Sequence, residues 1–335
     1  MVGARPRPVD GGGGPTAGVA GRAGPWFTVV AVNDSAAPIG IVTVTYSPGE
    51  YLTRFLDSVP GATDRGAVVV MADNGSTDGA PEAAEAKYSF AELLHTGGNI
   101  GYGAGMDRGI DTLRARRAAG EIDDEFVVIV NPDVVFHPGA VDELIAAAER
   151  HPRAGAVGPL IHEVDGSVYP SARAVPTLVS GIGHALLGKV WKDNPFSRRY
   201  RDDADMTRER TSGWLSGSCQ LLRWDAFDAI GGFDERYFMY MEDMDLGDRL
   251  ARSGRENIFT PAAEITHAQG HSASAHPEIT VPAHHESAYR FQADRLDARW
   301  QAPVRWVLWA GLKVRCAVAL WSAQRALRTG QAERN

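Results

Sequence analysis

Phe126-Val127-Val128-Ile129-Val130-Asn131-Pro132-Asp133 is the stretch on which the rest of the chain hangs. Its short, unbroken apolar run predicts a parallel strand buried on both faces. Pro132 cannot continue a hydrogen-bonded ladder, so the strand ends at the polar Asn-Pro-Asp. In an open α/β sheet, ligands bind beyond the carboxyl ends of the strands. Asp133 therefore stands where such a sheet does its chemistry.

Working outward, Ile39 to Tyr46 is a strand closed by Ser47-Pro48-Gly49, and a helix follows from Glu50 to about Val59. Leu52, Phe55, Leu56 and Val59 share one face of that helix. Ala67 to Met71 is the next strand, ending in Ala72-Asp73-Asn74-Gly75-Ser76, and Pro81 marks a helix start. A short strand over Ala91 to His95 leads through a glycine-rich loop, Gly97 to Gly105, to a helix from about Met106 to Ala119. Alternating strands and helices with short connections predict an α/β fold with a doubly wound, mainly parallel sheet.

Beyond Asp133, a turn at His137-Pro138-Gly139 opens a helix from Ala140 to Arg150, and Ala156 to Leu160 is a further strand. Asp165 to Thr211 reads as an insertion covering the site. Trp214 to Arg223 reads as one strand, and a helix runs from Glu242-Asp243 to about Ser253. A strand pair, Asn257 to Thr260 and Ala263 to Thr266, leads to His267. Residues 1–36, rich in Gly and Pro, read as a disordered leader; 37–275 form the catalytic-type domain, and 276–335 a helical, basic appendage.

The net charge of −8 argues against a nucleic-acid binder. Two cysteines, Cys219 and Cys316, make neither a metal cluster nor a disulfide framework, which points to a reducing cytoplasmic setting. No apolar run is long and charge-free enough for a confident membrane span. Trp300, Trp306, Trp309 and Trp321 interleave with Arg and Lys in the tail. Two readings of it stand: an interfacial helix on an anionic membrane, and a helix packed on the domain. Nothing in the sequence fixes the oligomeric state.

Three strand ends carry polar clusters: Thr45-Tyr46-Ser47, Asp73-Asn74-Gly75-Ser76 and Asn131-Pro132-Asp133. Each alone is an ordinary turn; three on one sheet edge outline a site. A carboxylate at the second can accept a pyrimidine ring N–H, and one at the third can reach a divalent metal on a diphosphate. The glycine spacing of 97–105 does not fit the dinucleotide G-x-G-x-x-G pattern, so an oxidoreductase reading is disfavoured and close backbone approach to a ligand is expected. Asp243 is an N-cap on the bland reading and a general base on the sharper one. His267 is either a core histidine or a metal ligand paired with Asp133.

These motifs, in this order from about Ile39 to Ser272, resemble the inverting GT-A glycosyltransferases of family 2: Thr-Tyr-Ser-Pro, Ala-Asp-Asn-Gly-Ser, Gly-Asn-Ile-Gly-Tyr-Gly, Asn-Pro-Asp, Gly-Gly-Phe-Asp-Glu, Met-Glu-Asp-Met-Asp and His267. Val157 to Ile161, Asp165 to Arg173, Gly213 to Cys219 and Phe233 to Asp243 are similar to a narrower group, the rhamnosyltransferases of actinobacterial cell-wall linker synthesis. The resemblance implies a GT-A fold and transfer of L-rhamnose from dTDP-L-rhamnose to a polyprenyl-diphosphate-linked N-acetylglucosamine. The setting it implies is the inner face of the plasma membrane. It implies that Thr45, Tyr46, Ser47, Asp73, Asn74, Asn99, Gly101 and Asp133 hold the donor, and that Asp133 and His267 hold Mg2+ or Mn2+. Asp243 would be the base, with Glu242 in reserve, and Trp214, Asp234, His284 and His285 would meet the acceptor. The family often has Asp-x-Asp where this chain has Asn131-Pro132-Asp133, which leaves the metal one carboxylate there. In-class and out-of-class rivals are a family member with another donor or acceptor, and a non-catalytic nucleotide-sugar binder.

Overall fold

The computed structural model describes residues 36–176, 205–268 and 277–332. The predicted leader and most of the predicted insertion lie outside them. The first half runs β1 (Ile39–Thr45), α1 (Glu50–Ala62), β2 (Ala67–Asp73), α2 (Ala80–Lys87), β3 (Ala91–His95), α3 (Tyr102–Ala118), β4 (Phe126–Val130), β5 (Val134–Phe136), α4 (Ala140–Arg150) and β6 (Ala154–His162). The second adds the short strands β7 (Val168–Tyr169), β8 (Ala172–Arg173), β9 (Arg210–Ser212) and β10 (Trp214–Leu215), then β11 (Cys219–Arg223) and α5 (Trp224–Ala229). It continues with α6 (Glu242–Arg252), β12 (Glu256–His267), α7 (Pro277–Ala293) and α8 (Ala302–Ala332).

The main sheet has the order β3-β2-β1-β4-β11-β6-β12-β5. β1 pairs in parallel with β2 and β4, β2 with β3, and β6 with β12; β11 is antiparallel to both β4 and β6. Because β11 reverses between β4 and β6, the carboxyl ends of β1, β2, β4 and β12 all open on one edge. The alternation of β4 shows why its sequence is unbroken. Phe126, Val128 and Val130 pack into a core with Leu52, Phe55 and Leu144, while Val127 and Ile129 pack on the other face with Met106, Leu113 and Trp224. Both faces of the strand are covered, so neither residue set can be polar.

Four local readings change. Trp214 to Arg223 is two strands, because Ser216-Gly217-Ser218 leaves the ladder between β10 and β11. The expected pair at 257–266 is one strand, β12, with a register shift between Thr260 and Glu264. Val134–Phe136 is an antiparallel strand on β12 that the sequence reading passed over. α3 begins at Tyr102, so half of the glycine-rich loop is helix. Glycine disfavours helix, but a Cβ at Gly105 would lie 2.8 Å from Val44 Cγ2, and one at Gly109 would collide with Val42. Helix-to-sheet contact overrides propensity there.

Candidate active site

Register alone sets Thr45, Asp73 and His95 side by side across three strand ends. Thr45 Oγ1 donates to Asp73 Oδ1 at 2.9 Å; Ser76 donates to the same carboxylate through its amide and its hydroxyl, and the Gly75 amide reaches Oδ2 at 3.2 Å. His95 Nδ1 stands 3.7 Å from Oδ2. Burial pushes the Asp73 carboxyl up, yet the Ser76 and Thr45 hydroxyls and the two amides outweigh it and hold the group below its ordinary value. It is a fixed negative charge at the floor of the edge.

The neighbouring loops are bolted together. The Ser47 amide donates to Ser76 Oγ at 2.8 Å, the Thr77 amide to Ser47 Oγ at 3.0 Å, and the Gly49 amide to Asp78 Oδ2 at 2.8 Å. Ser47 is held at φ 49°, in the left-handed region that non-glycine residues seldom occupy. Tyr46 beside it is exposed. Ser47 is thus a brace between two strand-end loops, and Ser76, Thr77 and Asp78, given no role from the sequence, are the partners that hold them.

Asn74 and Gly101 take part in the scaffold rather than presenting open groups. Asn74 is buried; its Nδ2 donates to Gly101 O at 2.9 Å and its Oδ1 accepts from Thr96 Oγ1 at 2.9 Å. Gly101 lies at φ 93°, and a Cβ on it would overlap the backbone of Phe238, whose carbonyl accepts from the Tyr102 amide at 3.0 Å. A close approach of Gly101 is made to the loop before α6. Asn99 is exposed, with Oδ1 accepting from the Gly101 amide at 3.2 Å.

Beyond β4, the Asn131 amide donates to Ser218 O at 2.9 Å, which draws the Asn-Pro-Asp turn against the break between β10 and β11. Asp133 Oδ1 lies 3.0 Å from His267 Nε2, and Asn131 Nδ2 lies 3.3 Å from the same nitrogen. His267 is buried, and its Nδ1 finds no hydrogen-bond partner among the described residues. Two donors bound to one ion at about 2.1 Å in adjacent octahedral positions stand about 3.0 Å apart. The Asp133 carboxylate and the His267 imidazole therefore stand at the spacing of adjacent ligands on a divalent cation of the manganese type, while the Asn131 side-chain amide turns its Nδ2 donor to His267 Nε2 and adds no ligand atom there.

The second carboxylate centre sits at the start of α6. Asp243 Oδ2 accepts from the Gly217 amide at 3.0 Å and Oδ1 from the Met244 amide at 2.8 Å. Tyr102 reaches over the same turn and donates to Gly217 O at 2.6 Å. Glu242 beside it is buried, and its Oε2 has no hydrogen-bond partner among the described residues. Burial and the Asp243 charge push the Glu242 carboxyl up to about 8. Burial raises Asp243 too, against the opposing pull of its two amides and of Arg173. Two adjacent carboxyls that cannot both ionise leave the charge on the one with donors, Asp243. Tyr240 and Met241, each at φ 68°, hold this turn in left-handed backbone, a strain that persists only where surroundings enforce it.

The four residues expected at the acceptor side have different fates. Trp214 is buried with Tyr237, Met244 and Phe291, and its Nε1 donates to Ala174 O at 3.1 Å, so its indole packs the fold. Asp234 is clamped by Arg236, which also reaches Asp294 at 2.7 Å. His284, on α7, sets its ring against Tyr240 at 5.5 Å, next to the catalytic-type turn; His285 bonds Val281 O at 2.8 Å within its own helix. Ser287 Oγ donates to Met239 O at 2.9 Å, so α7 is a wall of the turn that carries Glu242 and Asp243.

A family model described as glycosyltransferase like family 2 matches residues 37–302. The chain belongs to that family. A curated relative from Mycobacterium tuberculosis, N-acetylglucosaminyl-diphospho-decaprenol L-rhamnosyltransferase, is 50% identical over 86% of this chain and 94% of its own length. The rhamnosyltransferase WbbL of Escherichia coli is 25% identical over 76% of this chain and 92% of its own. Among solved structures, GalNAc-T7 crystallised with UDP, GalNAc and Mn2+ matches with a TM-score of 0.50 at 14% identity, over 71% of this chain and 45% of that one. That likeness shows the GT-A fold of this glycosyltransferase.

Proposed function

We propose that this family 2 glycosyltransferase transfers L-rhamnose, with inversion, from dTDP-L-rhamnose to N-acetylglucosaminyl-diphospho-polyprenol. The observation that carries the chemistry is the meeting, on one sheet edge, of two unlike centres: the Asp133–His267 pair at 3.0 Å and the amide-held Asp243. The 50% identity to the mycobacterial enzyme, over 86% of this chain, supports the acceptor. Asp73 takes the thymine ring N–H as a fixed acceptor, with Thr45, Tyr46 and Asn99 lining the base and sugar. Asp133 and His267 hold a divalent ion, Mn2+ or Mg2+, which when bound supplies Lewis-acid stabilisation to the diphosphate.

Asp243 takes the proton from the acceptor hydroxyl as its oxygen forms a bond to the anomeric carbon, while the bond to the nucleoside diphosphate breaks on the opposite face. A single displacement inverts the centre, and no covalent enzyme intermediate forms. The raised pKa of Asp243 makes it a better proton acceptor than an ordinary aspartate. Glu242, protonated, lends no second charge to repel the leaving diphosphate.

No described helix is long and apolar enough to cross a membrane. α8 nevertheless leaves Trp306 and Trp321 at 67% and 60% exposure, with Val307, Val314 and Val318 also open. Aromatic and aliphatic side chains interleaved with Arg305, Lys313 and Arg315 suit the interface of an anionic bilayer, where a polyprenyl acceptor resides. This supports a peripheral position on the inner face of the plasma membrane. The test is transfer of label from dTDP-rhamnose to a lipid-linked N-acetylglucosamine in anionic vesicles with manganese. Label in the lipid fraction is the expected result. Transfer only from another nucleotide sugar would remove the donor assignment and leave the family intact.

A further inference from the structure

On the outer face of the same strands, His137, His162 and Glu264 bring one ligand atom each to within 4.8 Å of one another. They come from three elements. His137 follows β5, His162 ends β6, and Glu264 lies in β12 at its register shift. Side chains alternate along a strand, so Glu264 and Thr266 point away from the face that buries Ile265 and His267. The cluster is therefore separate from the Asp133–His267 pair, although it sits on the same strand.

The geometry is already organised around one point. His162 Nε2 lies 2.7 Å from Glu264 Oε2, and His137 Nδ1 lies 3.8 Å from the same oxygen. The two imidazoles are stacked, with centroids 5.5 Å apart and planes 4° from parallel. His137 Nε2 lies 3.0 Å from Thr266 Oγ1. With Nε2–H donating to that hydroxyl, Nδ1 keeps its lone pair toward Glu264, as a metal-ligating histidine does when its other nitrogen is anchored. The His137 amide also donates to Glu264 O at 3.1 Å, fixing the two backbones together.

We propose that His137, His162 and Glu264 are a second metal site, taking a borderline divalent ion, Zn2+ foremost. Two imidazoles and one carboxylate are a zinc donor set that leaves one position for water. Imidazole nitrogens disfavour Mg2+ and Ca2+, which take oxygen. On binding, His162 carries its proton on Nδ1 and turns Nε2 to the ion, and the three ligands draw in by part of their present separation. The ion then ties the ends of β5, β6 and β12 from the side opposite His267. It would stiffen the β5–β12 pair, in which Thr266 faces Val135 and His267 faces Val134.

The experiment uses the full chain carrying Asp133→Asn and His267→Ala, so that the donor-side pair cannot contribute. After dialysis against chelator, Zn2+ is titrated against a chromophoric competitor, and Co2+ is titrated in parallel for its visible absorption. One equivalent of tight Zn2+, a Co2+ spectrum of low coordination number and a raised Tm are expected. Adding His162→Asn or His137→Asn should abolish all three. Thr266→Val should weaken binding about tenfold or more through loss of the anchoring hydroxyl. Unchanged Zn2+ affinity in the His137 and His162 variants would overturn the proposal, as would an absence of tight Zn2+ before they are introduced. Thr266→Val spares the ligands and folded packing, so it reports even if a histidine variant misfolds.

Discussion

Asp73 ends a strand of the sheet and the Glu242–Asp243 pair starts a helix, and their surroundings drive these carboxyls in opposite directions. Asp73 is surrounded by donors, two hydroxyls and two amides, and is held below its ordinary value despite burial. Glu242 is buried beside a second carboxyl, with an oxygen that has no partner among the described residues, and is pushed up to about 8. The first environment makes a permanent acceptor, the property that the proposed nucleotide contact needs. The second makes a pair that holds a proton near neutrality and can accept another at Asp243. Residue type alone does not separate these roles; the number of donors within reach does.

Removing the proposed base should give the largest effect. Asp243→Asn keeps an oxygen for one of the amides of Gly217 and Met244, so α6 should still start in place. Turnover should fall about 10²–10⁴-fold, with donor affinity nearly unchanged, as read by single-turnover rates and by titration of dTDP-rhamnose. Turnover within a fewfold of the parent would take the proton-accepting role away from Asp243. In the parent, the acidic limb of kcat/KM should lie above the ordinary aspartate value of about 3.9, since the ionised form is required.

Asp73→Asn attacks the other half of the contrast. The new amide meets the donors of Ser76 and Gly75, and a buried donor left unmatched costs about 1–3 kcal/mol. The expected result is a rise in the donor KM of roughly tenfold, from the loss of about one charged hydrogen bond, with kcat less affected and a lower Tm. The stability that Asp73 contributes is present above the unfolded carboxylate pKa and is lost as pH falls through its depressed folded value. The variant should lack that acid-side loss. A change in kcat with an unchanged donor KM would show that Asp73 does not recognise the nucleotide.

The asymmetry between these regions also explains how far the sequence could be read. β1, β2 and β4 end at polar clusters after apolar runs, so the edge and Asp73 and Asp133 were visible as positions. The meeting of Asp133 with His267, 134 residues later, needed the mixed order β4-β11-β6-β12, which no local pattern encodes. The break at Ser216-Gly217-Ser218 was hidden because its flanks read as one strand, and it supplies the amide that holds Asp243. Gly101 was visible as a glycine under constraint, but its partner is the Phe238 backbone, a tertiary contact with no signature nearby. Ser47 is a donor contact by the family resemblance; its bonds to Ser76 and Thr77, which brace two loops, have no signature in the sequence around it.

The smallest effect sharpens the comparison most, because it moves opposite to Asp73. Glu242 is raised in the fold, so its protonated form is the folded one. Its contribution to stability is fully present below the ordinary glutamate value of 4.5 and is lost as pH rises through about 8. Glu242→Gln keeps the shape and cannot ionise, so the variant should lose less stability than the parent between pH 5 and pH 9. The test is a pair of Tm profiles over that range, in which the variant gains on the parent as pH rises. Parallel profiles would show that Glu242 is ionised in the folded state at neutral pH. The reading of one charge and one proton shared by adjacent carboxyls would then fail, even with Asp243 still acting as base.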